Sequence, residues 1–486
     1  MIDSINGHEL DKYQKEIVLD NSKSLLVVAG AGSGKTLTII GKVKYLIEKC
    51  HYKPSDILCI SFTNETVNNL INKVGYKIDC YTFHKLAMEI IKDNNITKVV
   101  AKEDLLDFVA NEYFHNIIYF YHYEKYVAEY LNNRFKKKYN YDEIKLLYKD
   151  ELEAFINSVK TFIRTIKTNN HNIDNFREYI HKTRFNDRYK CYLIIVFHLY
   201  LIYMEELKSM NAIDFDDMIV LACDLVKNNK LKRKYKYIII DEFQDTSLIR
   251  YQLIKEIINK TNANLMCVGD DYQSIYAFSG CTLDIFVNFR KYFDNSKIMY
   301  IKNTYRNSME LINISYKFIK KNRYQLKKKL KATFCLSNPI KIINYTNSSY
   351  KYKFYLLLEY LYKHNMKDIM ILGRYNNDIY ELMDEVQYKD MNLKYLTVHK
   401  SKGLECENVI LINMTDRIMG FPSKLDNPKI YKKIFKNKEK YPFAEERRLF
   451  YVALTRTKKN VFIMSNKNSE SLFVHEIKSK TIELIL

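Results

Sequence analysis

Glycine, proline and paired cysteines are all scarce in this sequence. The chain of 486 residues has 11 glycines and 5 prolines, and neither type occurs between Tyr76 and Val268. Much of that stretch has apolar residues at helical spacing, which predicts a long helical segment. The nine cysteines form no CxxC pair and no Cys/His ligand spacing. We therefore expect reduced thiols, and neither disulfides nor a zinc site, in an intracellular protein.

Long apolar runs are missing as well, and acidic residues are outnumbered. The longest apolar run, residues 192–204, contains His198 and is too short to span a membrane. We expect no cleavable N-terminal leader and a soluble, cytoplasmic protein, or a nuclear one in a eukaryotic or viral host. Lysine and arginine total 78 against 57 acidic residues, which gives a net charge of +21. Such a charge favours a polyanionic partner, either nucleic acid or an anionic surface.

Several of the few glycines lie in one short stretch. Residues 29–36 read AGAGSGKT, between an apolar run at 25–28 and an amphipathic run that begins at Leu37. This strand, loop and helix order is typical of a phosphate-binding loop, in which Lys35 neutralises phosphate oxygens and Thr36 holds Mg²⁺. On this stretch alone, an ordinary glycine-rich turn is the alternative. The predicted nucleotide-binding residues are Ala29, Gly30, Ala31, Gly32, Ser33, Gly34, Lys35 and Thr36.

Two further strands end in chemically useful side chains. The apolar run 237–240 is followed by Asp241 and Glu242. Beside a phosphate loop, Asp241 can hold Mg²⁺ through its water shell, and Glu242 can orient and deprotonate the attacking water. The strand predicted at 265–268 leads to Gln273, which could report whether a γ-phosphate is present. Tyr276 and Phe278 follow as platforms for base stacking.

Other candidates have a plainer alternative. Gln14 could read the edge of an adenine, or simply lie at a solvated helix start. Thr63 with Asn64, and the tetrapeptide at 81–84, follow strands and suit single-stranded nucleic acid, but a capped turn is the favoured interpretation of each. The basic cluster at 134–138 could line a groove for phosphates or form a solvated face. The basic stretch 317–331 is predicted to be a solvated helix face.

A second α/β series is predicted beyond Ser296, without a second phosphate loop. It offers Arg306 and Arg456, and arginine suits the charge that spreads over a transferring phosphoryl group. Its predicted strands lie near residues 297–301, 340–344, 369–372, 393–398, 409–413 and 461–465.

Taken in order, these motifs resemble the UvrD/Rep/PcrA branch of superfamily 1 (SF1A) DNA helicases. The resemblance covers nearly the whole chain. It is carried by residues 29–36 (AGAGSGKT), 62–66 (FTNET), 81–87 (YTFHKLA), 214–217 (DFDD), 238–247 (IIIDEFQDTS), 268–280 (VGDDYQSIYAFSG), 303–308 (NTYRNS), 397–405 (TVHKSKGLE) and 445–458 (EERRLFYVALTRTK).

The resemblance implies an α/β fold of two RecA-like P-loop NTPase lobes around an ATP cleft. Lobe 1A would comprise residues 1–86 and 212–296, a helical insertion (1B) residues 87–211, and lobe 2A residues 297–486. ATP hydrolysis with Mg²⁺ would drive movement 3′ to 5′ along single-stranded DNA and the separation of strands at single-strand/duplex junctions. Repair, replication and recombination are all open as pathways, and so is the oligomeric state.

Site roles follow from the same resemblance. Lys35, Asp241, Glu242 and Gln273 look like the catalytic set of the first lobe, with Thr36 and Asp241 at the metal, and Arg306 and Arg456 reach across the cleft. Gln14 and Tyr305 resemble adenine contacts, and Glu405 resembles the ribose contact. The residues that resemble DNA contacts are Phe62, Asn64, Thr82, His84, Tyr276, Phe278 and His399.

Three departures from the family pattern stand out. Leu37 stands where the family often has an arginine beside the nucleotide. Ser279 stands where the family often has an arginine after the stacking aromatic. Between Arg374 and Thr397 there is no room for the usual 2B subdomain, which is therefore expected to be vestigial or absent near 375–396. The alternatives are a translocase that needs a protein partner in place of 2B to unwind, a DNA-binding protein that uses ATP as a conformational latch, and an RNA substrate.

Overall fold

The structure is a computed structural model of the chain, and it describes residues 4–5, 7–133, 135, 137–170, 187–383, 390–424 and 439–486. Two six-stranded sheets form its framework, and every strand pair in both is parallel. This is the α/β class that the sequence predicts. Parallel sheets are covered on both faces, which explains why most of their strands are continuous apolar runs.

The first sheet contains the strand before the phosphate loop and the strand before the acid pair. In spatial order its strands are Ser296–Tyr300, Ser24–Val28, Asn264–Gly269, Tyr237–Ile240, Ile57–Ser61 and Asp79–Thr82. Together with the helices around it, this sheet is the first lobe. These helices are Lys12–Leu19, Lys35–Glu48, Asn64–Val74, Phe83–Asp93, Phe215–Lys227, Leu248–Thr261, Leu283–Val287 and Phe289–Tyr292. The strands predicted at 25–28, 237–240 and 265–268 are confirmed.

One strand was predicted in the second sheet but lies in the first. Ser296–Tyr300 pairs with Ser24–Val28 as the edge of the first sheet, so its assignment to the second α/β series was wrong. The spacing of apolar residues identifies a strand but carries no information about which sheet it joins. The second sheet begins only at Ile340.

A helical segment interrupts the first lobe and has its own apolar core. The short parallel strands Val99–Val100 and Ala212–Ile213 pair at its base. Its helices are Leu105–Glu112, Ile118–Phe120, Glu124–Asn132, Tyr141–Leu147, Lys149–Thr168 and Asp187–Ser209, with a π-helical turn at Tyr113–Ile117. Helix Phe83–Asp93 packs in the core of the first lobe, and the helices of this segment pack in a separate core. Of the predicted basic cluster, Arg134 and Lys136 lie outside the described residues.

The second sheet and its helices form the second lobe. Its strands, in spatial order, are Asn392–Thr397, Asp368–Gly373, Cys406–Met414, Thr457–Asn466, Ile340–Tyr345 and Ile482–Glu483. The accompanying helices are Met309–Ile319, Tyr350–Lys363, Asn376–Met383, Ala444–Leu454 and Leu472–Ile477. Two small ladders complete the fold, Ser4–Ile5 with His8–Glu9 and Asn303–Thr304 with Lys331–Ala332. Part of the region where 2B is expected to be reduced, residues 384–389, lies outside the described residues.

The end of helix Lys149–Thr168 rests on the loop that carries the predicted stacking aromatics. A Cβ added at Gly280 would lie 1.7 Å from the Thr168 hydroxyl, and Gly280 has φ +80°. Glycine is therefore required there both by the backbone conformation and by the contact.

We expect Gly280→Ala to destabilise the protein by about 2–4 kcal/mol, because left-handed strain is added to a steric clash. Gly75→Ala is the matched control: Gly75 has φ +77° and no atom within 4 Å of an added Cβ. That change should cost only about 1 kcal/mol. Thermal unfolding measures both, and an equal loss in the two variants would contradict the contact.

No helix in the described ranges is long and apolar enough to cross a bilayer.

Candidate nucleotide and nucleic-acid site

The phosphate loop lies between strand Ser24–Val28 and helix Lys35–Glu48, as its sequence predicts. Gly32 and Gly34 have φ of +65° and +77°. A Cβ on Gly34 would come within 2.6 Å of the Gln14 amide nitrogen. The loop therefore has a backbone shape that depends on glycine, at the N-terminus of a helix of 14 residues. Such a terminus offers free N–H groups and a positive dipole end to an anion.

Asp241 and Glu242 follow strand Tyr237–Ile240 and face the loop. The Lys35 ammonium lies 2.9 Å from a Glu242 carboxylate oxygen, and Gln244 donates a hydrogen bond of 2.6 Å to the other oxygen. Burial opposes the charge of Glu242, but attraction to Lys35 and Lys402 outweighs it and lowers its pKa. Burial and the neighbouring Glu242 charge raise the pKa of Asp241. Lys35, with Lys402 behind it, thus compensates two adjacent acids.

Arg456 and Gln273 meet across the two lobes. Arg456 follows helix Ala444–Leu454 of the second lobe, is 1% exposed, and donates a 3.0 Å hydrogen bond to the Gln273 amide oxygen. The Gln273 amide nitrogen donates to Asp270 at 2.7 Å. Burial, and then repulsion by Arg306, lower the pKa of Arg456 to about 9. The guanidinium is still cationic at neutral pH.

The stretch 303–306 lies against the phosphate loop. The Tyr305 backbone N–H donates to the Gly32 carbonyl at 2.9 Å, and the Tyr305 hydroxyl donates to Asp11 at 2.9 Å. Arg306 forms an ion pair of 2.8 Å with Glu405. The structure therefore brings Tyr305, Arg306 and Glu405, which sequence placed in one site, next to the loop.

Gln14 lies under the phosphate loop. It is 1% exposed, so the alternative of a solvated helix start is wrong for this side chain. Its amide nitrogen donates to the Ser33 carbonyl at 3.3 Å, and its amide oxygen accepts from the Asp11 N–H. The adenine contact stays a prediction.

Four of the predicted nucleic-acid contacts form one group of rings between the lobes. The Phe62 and Tyr276 rings are stacked, with centroids 5.4 Å apart and planes 10° apart. The His399 ring lies 6.4 Å from Tyr276 and 5.4 Å from Phe278, and Phe278 is 45% exposed. Burial, and then repulsion by Arg374 and Lys402, lower the pKa of His399 to about 3, so the ring is neutral. Neutral, partly exposed rings suit base stacking.

The remaining predicted contacts lie at helix starts. The hydroxyls of Thr63 and Thr82 cap the helices Asn64–Val74 and Phe83–Asp93, which confirms the capped turns. Asn64 is exposed at the first of these N-termini. The His84 ring packs 4.8 Å from Phe215. Burial, and then repulsion by Arg250, lower the pKa of His84 to about 4.

Sequence reasoning missed two lysines. Lys402 pairs with Asp245 and donates to the Gln273 carbonyl at 2.8 Å. It lies inside the motif at 397–405, but the sequence assigned it no role. Lys328 belongs to the stretch 317–331 that was predicted to be a solvated face, and for this residue the prediction was wrong. Its side chain is 3% exposed and pairs with Asp270 and Asp271. Nothing in a run of lysines distinguishes the buried one.

Two family models match this chain. One, described as the UvrD/REP helicase N-terminal domain, matches residues 10–294. The other, described as the UvrD-like helicase C-terminal domain, matches residues 384–468. The first covers more than half of the chain and spans the phosphate loop, the acid pair and the predicted stacking aromatics.

Several curated proteins are similar over much of the chain. DNA helicase IV of Escherichia coli (strain K12) is 25% identical over 98% of this chain and 71% of its own length. ATP-dependent DNA helicase Rep of Buchnera aphidicola subsp. Baizongia pistaciae is 28% identical over 84% of this chain. A probable DNA helicase of Mycoplasma pneumoniae is 25% identical over 98% of this chain and 87% of its own length. The chain spans only 58% of the Rep protein just named.

Proposed function

Because the chain belongs to the UvrD/Rep family of helicases, we propose that it is an ATP-dependent DNA helicase or translocase. In this proposal it hydrolyses ATP at the phosphate loop and moves 3′ to 5′ along single-stranded DNA. The direction rests on the family resemblance alone. One observation supports a coupling between ATP hydrolysis and DNA binding. Gln273 contacts Arg456, Tyr276 belongs to the group of rings, and only two residues of one loop separate Gln273 from Tyr276.

The residues around the phosphate loop fit ATP and Mg²⁺. Asp241 is a buried acid whose pKa is raised by burial and by Glu242, so a further cation beside it would relieve the repulsion between the two acids. Among the described residues, no group of three or more His, Cys, Asp and Glu side chains could hold a metal. An ion held by Thr36 and Asp241 would draw its other ligands from water and phosphate, which is usual for Mg²⁺. When bound, Mg²⁺ neutralises charge on the phosphates.

The protein groups would then take distinct roles. Lys35 and the N–H groups of the loop would bind phosphate oxygens. In this proposal the Lys35 ammonium, 2.9 Å from Glu242 in the structure, turns toward the phosphate oxygens and the ion pair opens. Losing that partner raises the proton affinity of Glu242, which improves it as the base for the attacking water. Arg306 and Arg456 would stabilise charge on the transferred group.

The proposed domains follow the packing. RecA-like lobe 1A corresponds to the first lobe, lobe 2A to the second, and 1B to the helical segment above the strands Val99–Val100 and Ala212–Ile213. We propose that 2B is vestigial or absent near residues 375–396, since strand Asp368–Gly373 and strand Asn392–Thr397 lie so close in the sequence. Full unwinding would then call for a protein partner, and single-strand/duplex junctions would be the substrate of that assembly.

The test is the ATPase rate with and without single-stranded DNA, run beside strand displacement on duplexes with a 3′ or a 5′ tail. We expect stimulation by DNA and displacement, if any, only from the 3′ tail. Stimulation without displacement supports a translocase that needs a partner. A rate that DNA does not change would contradict the proposal, as would hydrolysis stimulated by RNA alone.

A further inference from the structure

Lys328 is a buried lysine in the segment that joins helix Met309–Ile319 to the second sheet. Its ammonium lies 2.5 Å from Asp270 and also pairs with Asp271, and both acids are 0% exposed. The ammonium also lies 3.7 Å from the centre of the Tyr272 ring. A buried charge is retained only when it is paired. Here one lysine from a distant part of the chain pairs with two consecutive acids.

Asp270 connects this lysine to Gln273. One Asp270 oxygen pairs with Lys328, and the other accepts the Gln273 amide N–H at 2.7 Å. With its nitrogen held in this way, the Gln273 amide presents its oxygen to Arg456 at 3.0 Å. A Gln273 amide turned over would present N–H groups to a guanidinium that has only donors. The Asp270 carboxylate therefore fixes which end of Gln273 faces Arg456.

The same segment also contacts the phosphate loop. A Cβ on Gly30 would lie 2.2 Å from a methyl carbon of Leu330, so the Leu330 side chain covers that glycine. Strand Lys331–Ala332 pairs with Asn303–Thr304, and the Thr304 hydroxyl donates to the Ala31 carbonyl at 2.7 Å. On its other side the Leu326 N–H donates to Asp271 at 2.8 Å. Residues 325–332 thus connect the phosphate loop with the turn that holds Gln273.

We propose that Lys328 is a positioning residue for ATP hydrolysis: through Asp270 it holds the Gln273 amide in the orientation that engages Arg456. This inference rests on the proposed ATPase function. Lys328 itself touches neither the loop backbone nor the arginine in this arrangement. Lys328 acts on the site through the Asp270 carboxylate. A merely structural ion pair would affect stability, whereas a positioning residue also affects the rate of ATP turnover.

The first test compares Lys328→Met with Lys329→Met. Both remove one positive charge from adjacent positions, but Lys329 is exposed. For Lys328→Met we expect kcat of the DNA-stimulated ATPase to fall about 10- to 100-fold, since small misplacements of catalytic groups have effects of this size. KM for ATP should change little. Lys329→Met should match the wild type, and a kcat for folded Lys328→Met equal to that of Lys329→Met would overturn the proposal.

A second variant covers the case in which Lys328→Met fails to fold. Removing the lysine leaves two buried acids unpaired, so Lys328→Met/Asp271→Asn removes one of those charges while keeping an oxygen for the Leu326 N–H. We expect the double variant to fold and to keep the low kcat. Full recovery of kcat would mean that Lys328 only compensates the charge of the two buried acids, and would overturn its positioning role.

A third measurement does not depend on hydrolysis. The side-chain amide signal of Gln273, recorded by NMR on glutamine-labelled protein and assigned by its loss in Gln273→Ala, reports the bond to Asp270. We expect it to shift in Lys328→Met and to stay in place in Lys329→Met. An unshifted signal would refute the positioning role, whether or not the protein is an ATPase. If the wild type hydrolyses no ATP and Lys328→Met still shifts the signal, only the proposed function is refuted.

Discussion

Glu242→Gln should abolish ATP turnover while nucleotide binding persists. The change keeps the size of the side chain and removes the proposed base, and losing a general base costs about 10²- to 10⁴-fold in rate. The Glu242 backbone has φ +49°, an unusual conformation that glutamine adopts no less readily than glutamate. The ATPase rate in saturating single-stranded DNA measures the loss, and fluorescent ADP measures binding.

Glu16→Gln is the control for this change. Glu16 is an exposed acid on helix Lys12–Leu19, so its replacement should leave turnover unchanged. If the turnover rate of Glu242→Gln lies within about twofold of that of Glu16→Gln, Glu242 is not the base, because a general base contributes far more than twofold to the rate.

Lys35→Ala should lose both turnover and nucleotide affinity. Lys35 is the only side chain of the phosphate loop with a positive charge, and it also pairs with Glu242 at 2.9 Å. Burial opposes its charge, but attraction to Glu242, Asp241 and Asp270 outweighs this and raises the pKa of Lys35. Without it, phosphates would approach two buried acids without the positive charge of the loop. We expect ATPase to fall about 10²- to 10³-fold, as for the loss of a group that stabilises transition-state charge.

The matched change is Lys49→Ala, at the other end of the same helix, where the lysine is exposed. It should bind nucleotide and hydrolyse ATP as the wild type does. Circular dichroism and single-stranded DNA binding establish that Lys35→Ala is folded. A folded Lys35→Ala with wild-type affinity for ATP would contradict the assignment of the phosphate loop.

Much of the framework could be predicted from the sequence, because strands buried on both faces are short apolar runs between polar residues. Strand Tyr237–Ile240 is wholly buried and was identified with the bounds that the structure has. Ser296–Tyr300 was identified as a strand but assigned to the wrong sheet. It is only partly buried and has one neighbour, and pairing between strands far apart in the chain leaves no mark on local spacing.

Some residues of the candidate site could likewise be predicted from the sequence, and others could not. Lys35, Asp241 and Glu242 could be named in advance because each belongs to a short motif with a chemical logic. The contact of Gln273 with Arg456 joins residues 183 positions apart, and only the packing of the lobes creates it. Lys328 had no distinguishing feature among neighbouring lysines, because burial is decided by the path of the chain and not by residue type.

The loop between strand Asn264–Gly269 and Gly280 has one more consequence. It carries Gln273, which faces Arg456, and Tyr276, which stacks on Phe62. If ATP and DNA are sensed at these two positions, each ligand changes the free energy of the conformation that the other requires. Thermodynamic reciprocity then applies: whatever factor DNA introduces into the affinity for ATP, ATP must introduce into the affinity for DNA. Two binding titrations, each repeated with the other ligand saturating, would have to yield the same ratio.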